Sequence, residues 1–246
     1  MDAAERELLA DTLRKAMTGT TGDPHTTGAT IDTALDDLGW PDLLTEEPDT
    51  AIPVVFTLLG ETGSHASVLN DVVLHATGQP LGATLPLPYT GGTWLTWNRT
   101  DTPTSHDGPG LLGTGRTMLT LAREHALTRT QFGRPIATFQ AVRHRLAETL
   151  VALDGAEATL HAATTTPEDP LTALLAKAAA GKAALDTARH CQQVLAGIGF
   201  TAEHDFHHHL RRALTLDGLL GSTRDLTRQA GTHIRTHHHA PRLINL

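Results

Sequence analysis

Cysteine is nearly missing from this 246-residue sequence: Cys191 stands alone, so neither an intramolecular disulfide framework nor a CxxC-type zinc or redox site can be built. Aromatic residues make up only 4% of the chain. No apolar run approaches the ~18–20 residues that a membrane-spanning helix needs. A sustained lysine and arginine stripe is also absent: 19 basic against 27 acidic side chains leave a formal charge of −8, which argues against nucleic-acid binding through phosphate neutralisation. No charged-then-apolar leader follows Met1, so the expectation is a soluble, cytoplasmic protein with no nucleic-acid or membrane partner. What is abundant is alanine, leucine and threonine, in a chain long enough to bury roughly 70–75% of its unfolded surface. That composition points to an all-α fold.

Helical spacing sets out the organisation. Leu8, Leu9, Leu13, Ala16 and Met17 share one face of a first helix over 3–17, which the Gly/Thr/Pro-rich stretch 18–27 breaks. A short helix over 31–38 ends at Gly39, Trp40 to Pro48 reads as a loop, and 52–74 carries one long apolar pattern. Residues 76–108 are punctured by glycine and proline, with a single strand-like piece at Thr93–Trp97. From Leu111 onward helices are expected over 111–127, 138–164, 171–196, 202–216 and 219–237, joined by short turns as in an antiparallel bundle. The expected division is therefore an N-terminal helical region (1–75), a linker with at most one or two short strands (76–108) and a four- or five-helix bundle (109–246).

The most specific segment runs from Arg129 to Glu148, RTQFGRPIATFQAVRHRLAE. It resembles the RxQFGxPIxxFQxVxHxLA signature of the acyl-CoA dehydrogenase family at essentially every position. Downstream, Gln193-Val194-Leu195-Ala196-Gly197-Ile198-Gly199 is similar to the family's QxxGGxG turn, with alanine in place of the first glycine. Glu203-His204-Asp205-Phe206-His207 and Leu210-Arg211-Arg212-Ala213 resemble the EHDxHxxxRRA stretch of actinobacterial members that act on bulky acyl-CoAs. More weakly, Leu38-Gly39-Trp40 and Leu58–Gly63 look like two of the family's N-terminal helices. The resemblance implies that Arg129, Gln131, Phe132, Gln140, Gln193 and Gly197 belong to an FAD site held mainly by a neighbouring subunit. The residue types suit that role. A guanidinium fork matches a diphosphate, a carboxamide both donates and accepts, an aromatic ring offers a stacking wall, and glycines let backbone N–H groups approach phosphates. Taken singly, an arginine or glutamine near a helix start is ordinary solvated surface, and Phe139, Val142 and Leu146 are read as core.

Two absences stand beside the signature. Family members desaturate the Cα–Cβ bond of an acyl thioester, a carboxylate taking the α-proton while hydride leaves to the flavin. The usual glutamate precedes the Gly-Thr that opens the last helix, and the matching position here is Leu220, so no catalytic residue is assigned. The alternative position, ahead of the RxQFG element, falls near Pro103, where Asp101 and Asp107 read first as loop carboxylates. The family's middle β-domain, on the order of a hundred residues, also has no room in 76–108. Trp94 and Trp97 there read as core or interface residues before remnants of a flavin-facing strand.

The expectation is thus a subunit of a heteromeric, FAD-dependent acyl-CoA dehydrogenase, αβ or α2β2, inactive alone. Its partner would be a full-length dehydrogenase-like chain carrying the base, and its substrate an acyl thioester on CoA or a carrier protein. Two alternatives stay open: reuse of the fold without flavin as an isomerase, cyclase or lyase, and a non-catalytic stabilising subunit. The 16 histidines, including the runs 207–209 and 237–239, read as solvated or interface groups, and no metal is assigned.

Overall fold

The computed structural model describes residues 3–20, 28–64, 66–76, 78, 80–81, 108–165 and 169–240. The expected linker strand at 93–97, both of its tryptophans, and Asp101 and Asp107 lie outside them. Ten α-helices and one two-stranded ribbon make up the described chain, so the protein is all-α. No described helix is long and apolar enough to cross a membrane.

Helices α1 (Ala3–Thr20), α2 (Gly28–Asp37), α3 (Trp40–Glu46), α4 (Pro48–Thr62) and α5 (Val68–Ala76) form the N-terminal layer. Leu13, Trp40, Leu44, Val55, Leu59 and Val72 pack together at its centre. The sequence reading took Trp40 to Pro48 as a loop, and the structure corrects it. Pro41 and Pro48 each occupy the first turn of a helix, where a missing N–H has no intrahelical partner to lose. The long pattern over 52–74 is likewise two helices, parted where Gly63 turns left-handed at φ 71°.

The second layer is the bundle: α6 (Gly108–Thr128), α7 (Gln140–Thr165), α8 (Pro170–Leu195), α9 (Phe206–Gly218) and α10 (Thr223–His237). Leu111, Met118, Leu153, Leu195 and Phe206 are fully or almost fully buried in its core. Alanines face inward along α8, which lets α6, α7 and α10 approach it closely. Asp169 opens α8 by accepting the Leu171 N–H at 3.0 Å. Ser222 opens α10 by accepting the Asp225 N–H at 3.2 Å.

The layers meet where α4 crosses α6. A Cβ at Gly60 would come within 2.7 Å of the Thr114 nitrogen, so these helices touch backbone to backbone. The Thr114 hydroxyl donates to the Gly60 carbonyl at 3.2 Å and the Thr117 hydroxyl to the Glu61 carbonyl at 2.9 Å. Arg212 of α9 adds a third tie by donating to the carbonyl of Ser64.

Candidate functional site

The signature segment begins where α6 runs out. The Arg129 N–H still donates to the His125 carbonyl at 2.8 Å, after which the chain folds back on itself. Strand β1 (Thr130–Gln131) pairs antiparallel with β2 (Arg134–Pro135), Thr130 opposite Pro135 and Gln131 opposite Arg134. Sequence spacing marked this stretch only as a break between helices. Its hairpin turn is Phe132-Gly133, both left-handed at φ 53° and 76°, the backbone sign that tight two-residue hairpins require. Glycine takes that conformation freely, while phenylalanine is strained in it.

Phe132 is 91% exposed, the most exposed large apolar residue among those described. Among the described residues its aromatic contact is edge-on to Phe139, 6.1 Å between centroids. The Arg134 guanidinium lies 4.6 Å over the Phe139 ring, a cation–π contact that steadies the hairpin against the turn below it. The Ile136 N–H closes the loop on the Arg129 carbonyl at 2.9 Å. One 3-10 turn (Ile136–Thr138) later, Gln140 opens α7 with its carboxamide 3.4 Å from the His144 ring. Arg129, Gln131, Phe132 and Gln140 are therefore gathered on one hairpin and the helix start it leads into.

Gln193 and Gly197 sit on separate elements, the last turn of α8 and the 3-10 turn after it (Ala196–Phe200). That turn is braced from within: the Gln192 carboxamide donates to the Gly199 carbonyl at 3.1 Å. A Cβ on Gly199 would press within 2.9 Å of the Leu195 Cβ, so the residue must be glycine. Ala196 takes φ 53° and ψ −133°, a backbone that suits glycine and strains alanine. No described hydrogen bond or ion pair links this pair to the hairpin group. All six residues, Arg129, Gln131, Phe132, Gln140, Gln193 and Gly197, are exposed, so they form an edge open to solvent and not an enclosing pocket.

Two histidines flank this edge. His125, in the last turn of α6, is held below the usual imidazole range by burial, then by the positive potential of His204 and Arg129. His204 precedes α9 and accepts the Phe206 N–H on Nδ1 at 3.1 Å. His204 was not assigned a place beside Arg129 from sequence, since no spacing rule joins residues 75 positions apart, whereas His125 lies one helical turn before Arg129. The His207 and His208 rings lie tilted at 41° to each other, 3.8 Å between centroids.

Leu220 lies in the turn from α9 to α10, 4% exposed and left-handed at φ 56°, with Gly221 following at φ 105°. It offers an apolar side chain and no base. Beneath the turn, fully buried Lys177 of α8 donates to the carbonyls of Leu216 and Asp217 at 3.1 and 3.4 Å and approaches that of Gly221 at 3.5 Å. The Asp217 carboxylate accepts the Thr223 N–H at 3.1 Å. These contacts hold the α9–α10 connection in one shape.

Comparison with known proteins follows the same lines. The family described as "Acyl-CoA dehydrogenase, C-terminal domain" matches residues 108–233, which spans the bundle from α6 into α10. Acyl-CoA dehydrogenase IpdE2 of Mycobacterium tuberculosis is 37% identical over 123 residues, covering 50% of this chain and 38% of that protein. Acyl-CoA dehydrogenase FadE34 of the same organism is 41% identical over 117 residues, 45% of this chain and 16% of its own length. This chain thus matches well under half of either curated relative. Among solved structures, a chain of the Tcur3481-Tcur3483 steroid ACAD variant superposes with a TM-score of 0.76 at 16% identity, over 96% of this chain and 99% of that one. The glutaryl-coenzyme A dehydrogenase glutaryl-CoA complex matches at a TM-score of 0.52 and 23% identity, over 55% of this chain and 35% of the other. At those identities the likeness shows the fold.

Proposed function

This chain belongs to the acyl-CoA dehydrogenase family, and we propose that it acts as one subunit of a heteromeric, FAD-dependent enzyme that desaturates an acyl thioester. The observation that carries the proposal is the exposed edge: a full signature displayed on a hairpin and a helix start, facing solvent, with leucine where the base would stand. A cofactor residue open to solvent completes its site only when a second chain brings the rest.

The side chains fit the phosphate-bearing half of FAD. Arg129 would pair its planar fork with the diphosphate. Gln140 would donate to a phosphate or sugar oxygen from the first turn of a 26-residue helix, whose N-terminus itself favours negative charge. Phe132 would cover an apolar surface that the partner presents, which accounts for a strained and almost fully exposed ring. Gln193 and the backbone at Gly197 would reach the same cofactor from the end of α8. When bound, FAD supplies the acceptor for the hydride that leaves the β-carbon. This chain supplies no proton acceptor at Leu220, so abstraction of the α-proton falls to the partner. The match of a steroid ACAD chain of nearly the same extent supports a small subunit of this kind and a bulky acyl group on CoA or a carrier protein.

The test is pairwise co-expression with full-length acyl-CoA dehydrogenase chains of the same genome. The expected result is a yellow complex with an FAD spectrum and thioester dehydrogenase activity, while this chain alone is colourless. Arg129→Ala should weaken FAD retention in the complex by about 2–5 kcal/mol, as for truncating one partner of a buried charge pair. A lone chain that binds FAD stoichiometrically and dehydrogenates a thioester overturns the proposal. An Arg129→Ala/Gln140→Ala double variant that keeps full flavin content and activity would reduce the role to stabilisation only.

A further inference from the structure

Helix α10 carries charge of one sign along one line. Its 15 residues hold three arginines and a single acid, Asp225, in a chain whose formal charge is −8. At about 100° per residue, Arg224, Arg228 and Arg235 fall within roughly 40° of one another, on the side opposite buried Leu226. All three are exposed. Arg228 pairs with Asp225 at 2.6 Å, while neither Arg224 nor Arg235 has an ion-pair partner among the described residues. Gly231 lies on the same line between Arg228 and Arg235, exposed and with nothing within 4 Å of where a Cβ would stand. A glycine inside a solvated helix weakens it, and the bundle makes no use of this one's small size. What the glycine provides is a low point in the middle of a row of arginines.

The row is about 16 Å long, or three turns of helix, and its shape selects among anions. Thr227, Gly231 and Thr232 flank the arginines, with no aliphatic or aromatic side chain on the exposed face to enter a bilayer. A nucleic acid or an anionic vesicle extends past 16 Å or so and meets a chain with more acids than bases. A free phosphate needs donors that converge in a concavity, whereas these stand on a convex helix. A second copy in a two-fold contact would set the row on itself. Because the sign does not change along the row, parallel and antiparallel arrangements both oppose arginine to arginine. What matches is a short segment with carboxylates on one face, which takes bidentate arginine contacts along its length and lays its backbone over Gly231.

We propose that the outer face of α10 is a docking surface for an acidic helix of another protein, with Arg224, Arg228 and Arg235 as its anchors and Gly231 as the point of closest approach. The surface shares no residue with the cofactor edge, and it stands whether or not the subunit reading does. Its recognition is electrostatic, so it favours fast, salt-sensitive association over a permanent interface.

The experiment titrates the full chain into a labelled, alanine-rich helical peptide with glutamates at i, i+4 and i+11, read by fluorescence anisotropy over a range of salt. The same peptide with glutamines is the reference. Binding should need the glutamates, weaken as salt rises, and fall at least tenfold in Arg224→Gln/Arg228→Gln/Arg235→Gln, whose circular dichroism and melting stay those of the wild type. Arg123→Gln/Arg143→Gln/Arg145→Gln removes as much exposed charge elsewhere and should change binding less than twofold. Gly231→Gln is the sharper arm. It should raise the melting temperature through helix propensity and yet weaken the peptide at least threefold, whereas a merely solvated glycine gives only the first effect. Equal losses in the two triple variants overturn the docking face, since net charge alone then explains binding. Tighter binding of phosphatidylserine vesicles or duplex DNA through the same three arginines overturns it in favour of a membrane or a nucleic acid. Oligomers of the isolated chain that the α10 triple variant dissolves overturn it in favour of a head-to-tail second copy.

Discussion

Gly113 of α6 lies so close to α4 that a side-chain carbon placed there would collide with the carbonyl oxygen of Thr57 and stand 3.0 Å from the Glu61 nitrogen. Gly60 makes the reciprocal approach from α4. The two helical layers are thus joined at a backbone-to-backbone crossing, with the Thr114 and Thr117 hydroxyls bonded across it. Side chains could yield to an added methyl group, but backbone atoms cannot without moving a helix.

Gly113→Ala should therefore destabilise the chain by about 1–3 kcal/mol, the usual range for overpacking a tight core. Gly155→Ala is the contrast, because that glycine is exposed in the middle of α7 with open space around it. It should stabilise by roughly 0.5–1 kcal/mol through helix propensity alone. Urea unfolding of the two variants measures both signs; equal effects would mean that the α4–α6 crossing is looser than its geometry.

Ala196 offers a gain of another origin. Its φ of 53° with ψ of −133° is a conformation that costs a non-glycine residue on the order of 1–3 kcal/mol. Glycine would remove the strain and return roughly 0.5–1 kcal/mol as extra freedom of the unfolded chain. Ala196→Gly is expected to raise the melting temperature, and a lower one would show that the alanine methyl makes a compensating contact. The family resemblance places glycine at this position, and the backbone gives the physical reason.

Helical periodicity made the bundle legible, since α6, α7 and α8 each bury one regular stripe. It misled at Trp40–Pro48, where two prolines were read as breakers although each opens a helix. It also passed over the Arg129–Pro135 hairpin, because a two-residue strand is too short to show alternation. The motif residues were legible as a string, yet their exposure was not. A signature records which side chains persist, and only the fold shows that Phe132 faces outward. Buried Lys177 and His209 and half-buried Arg212 left no sequence trace of their partners, which lie 39 to 149 positions away.

Lys177 is fully buried with its ammonium against the last carbonyls of α9 and the Gly221 carbonyl. It neutralises a helix C-terminus and satisfies acceptors that water cannot reach. Lys177→Met keeps most of the volume but strands those carbonyls, at about 1–3 kcal/mol for each one left unsatisfied. The expected outcome is a loss of at least about 2 kcal/mol in urea unfolding, with faster hydrogen exchange in α10. A neutral result would mean that the α9–α10 turn holds itself.

His209 of α9 is 7% exposed, with Gly63 of α4's C-cap against its ring and Nδ1 without a partner among the described residues. Burial first, then Arg212 and His208, push its pKa down to about 4; Asp205 and a hydrogen bond with the Gly60 backbone oppose this only in part. A folded pKa below the unfolded value near 6.5 means that folding favours the neutral ring. The associated stability is complete above about pH 6.5 and is lost as pH falls through 4, amounting to about 3 kcal/mol at full protonation. His209→Gln keeps a donor for the Gly60 carbonyl and cannot be protonated. Its stability should decline less than that of the wild type between pH 6.5 and 4, when both are followed by urea unfolding at each pH. Parallel profiles would mean that His209 is solvated in the folded protein, and that the contact between α9 and the end of α4 opens more readily than its burial implies.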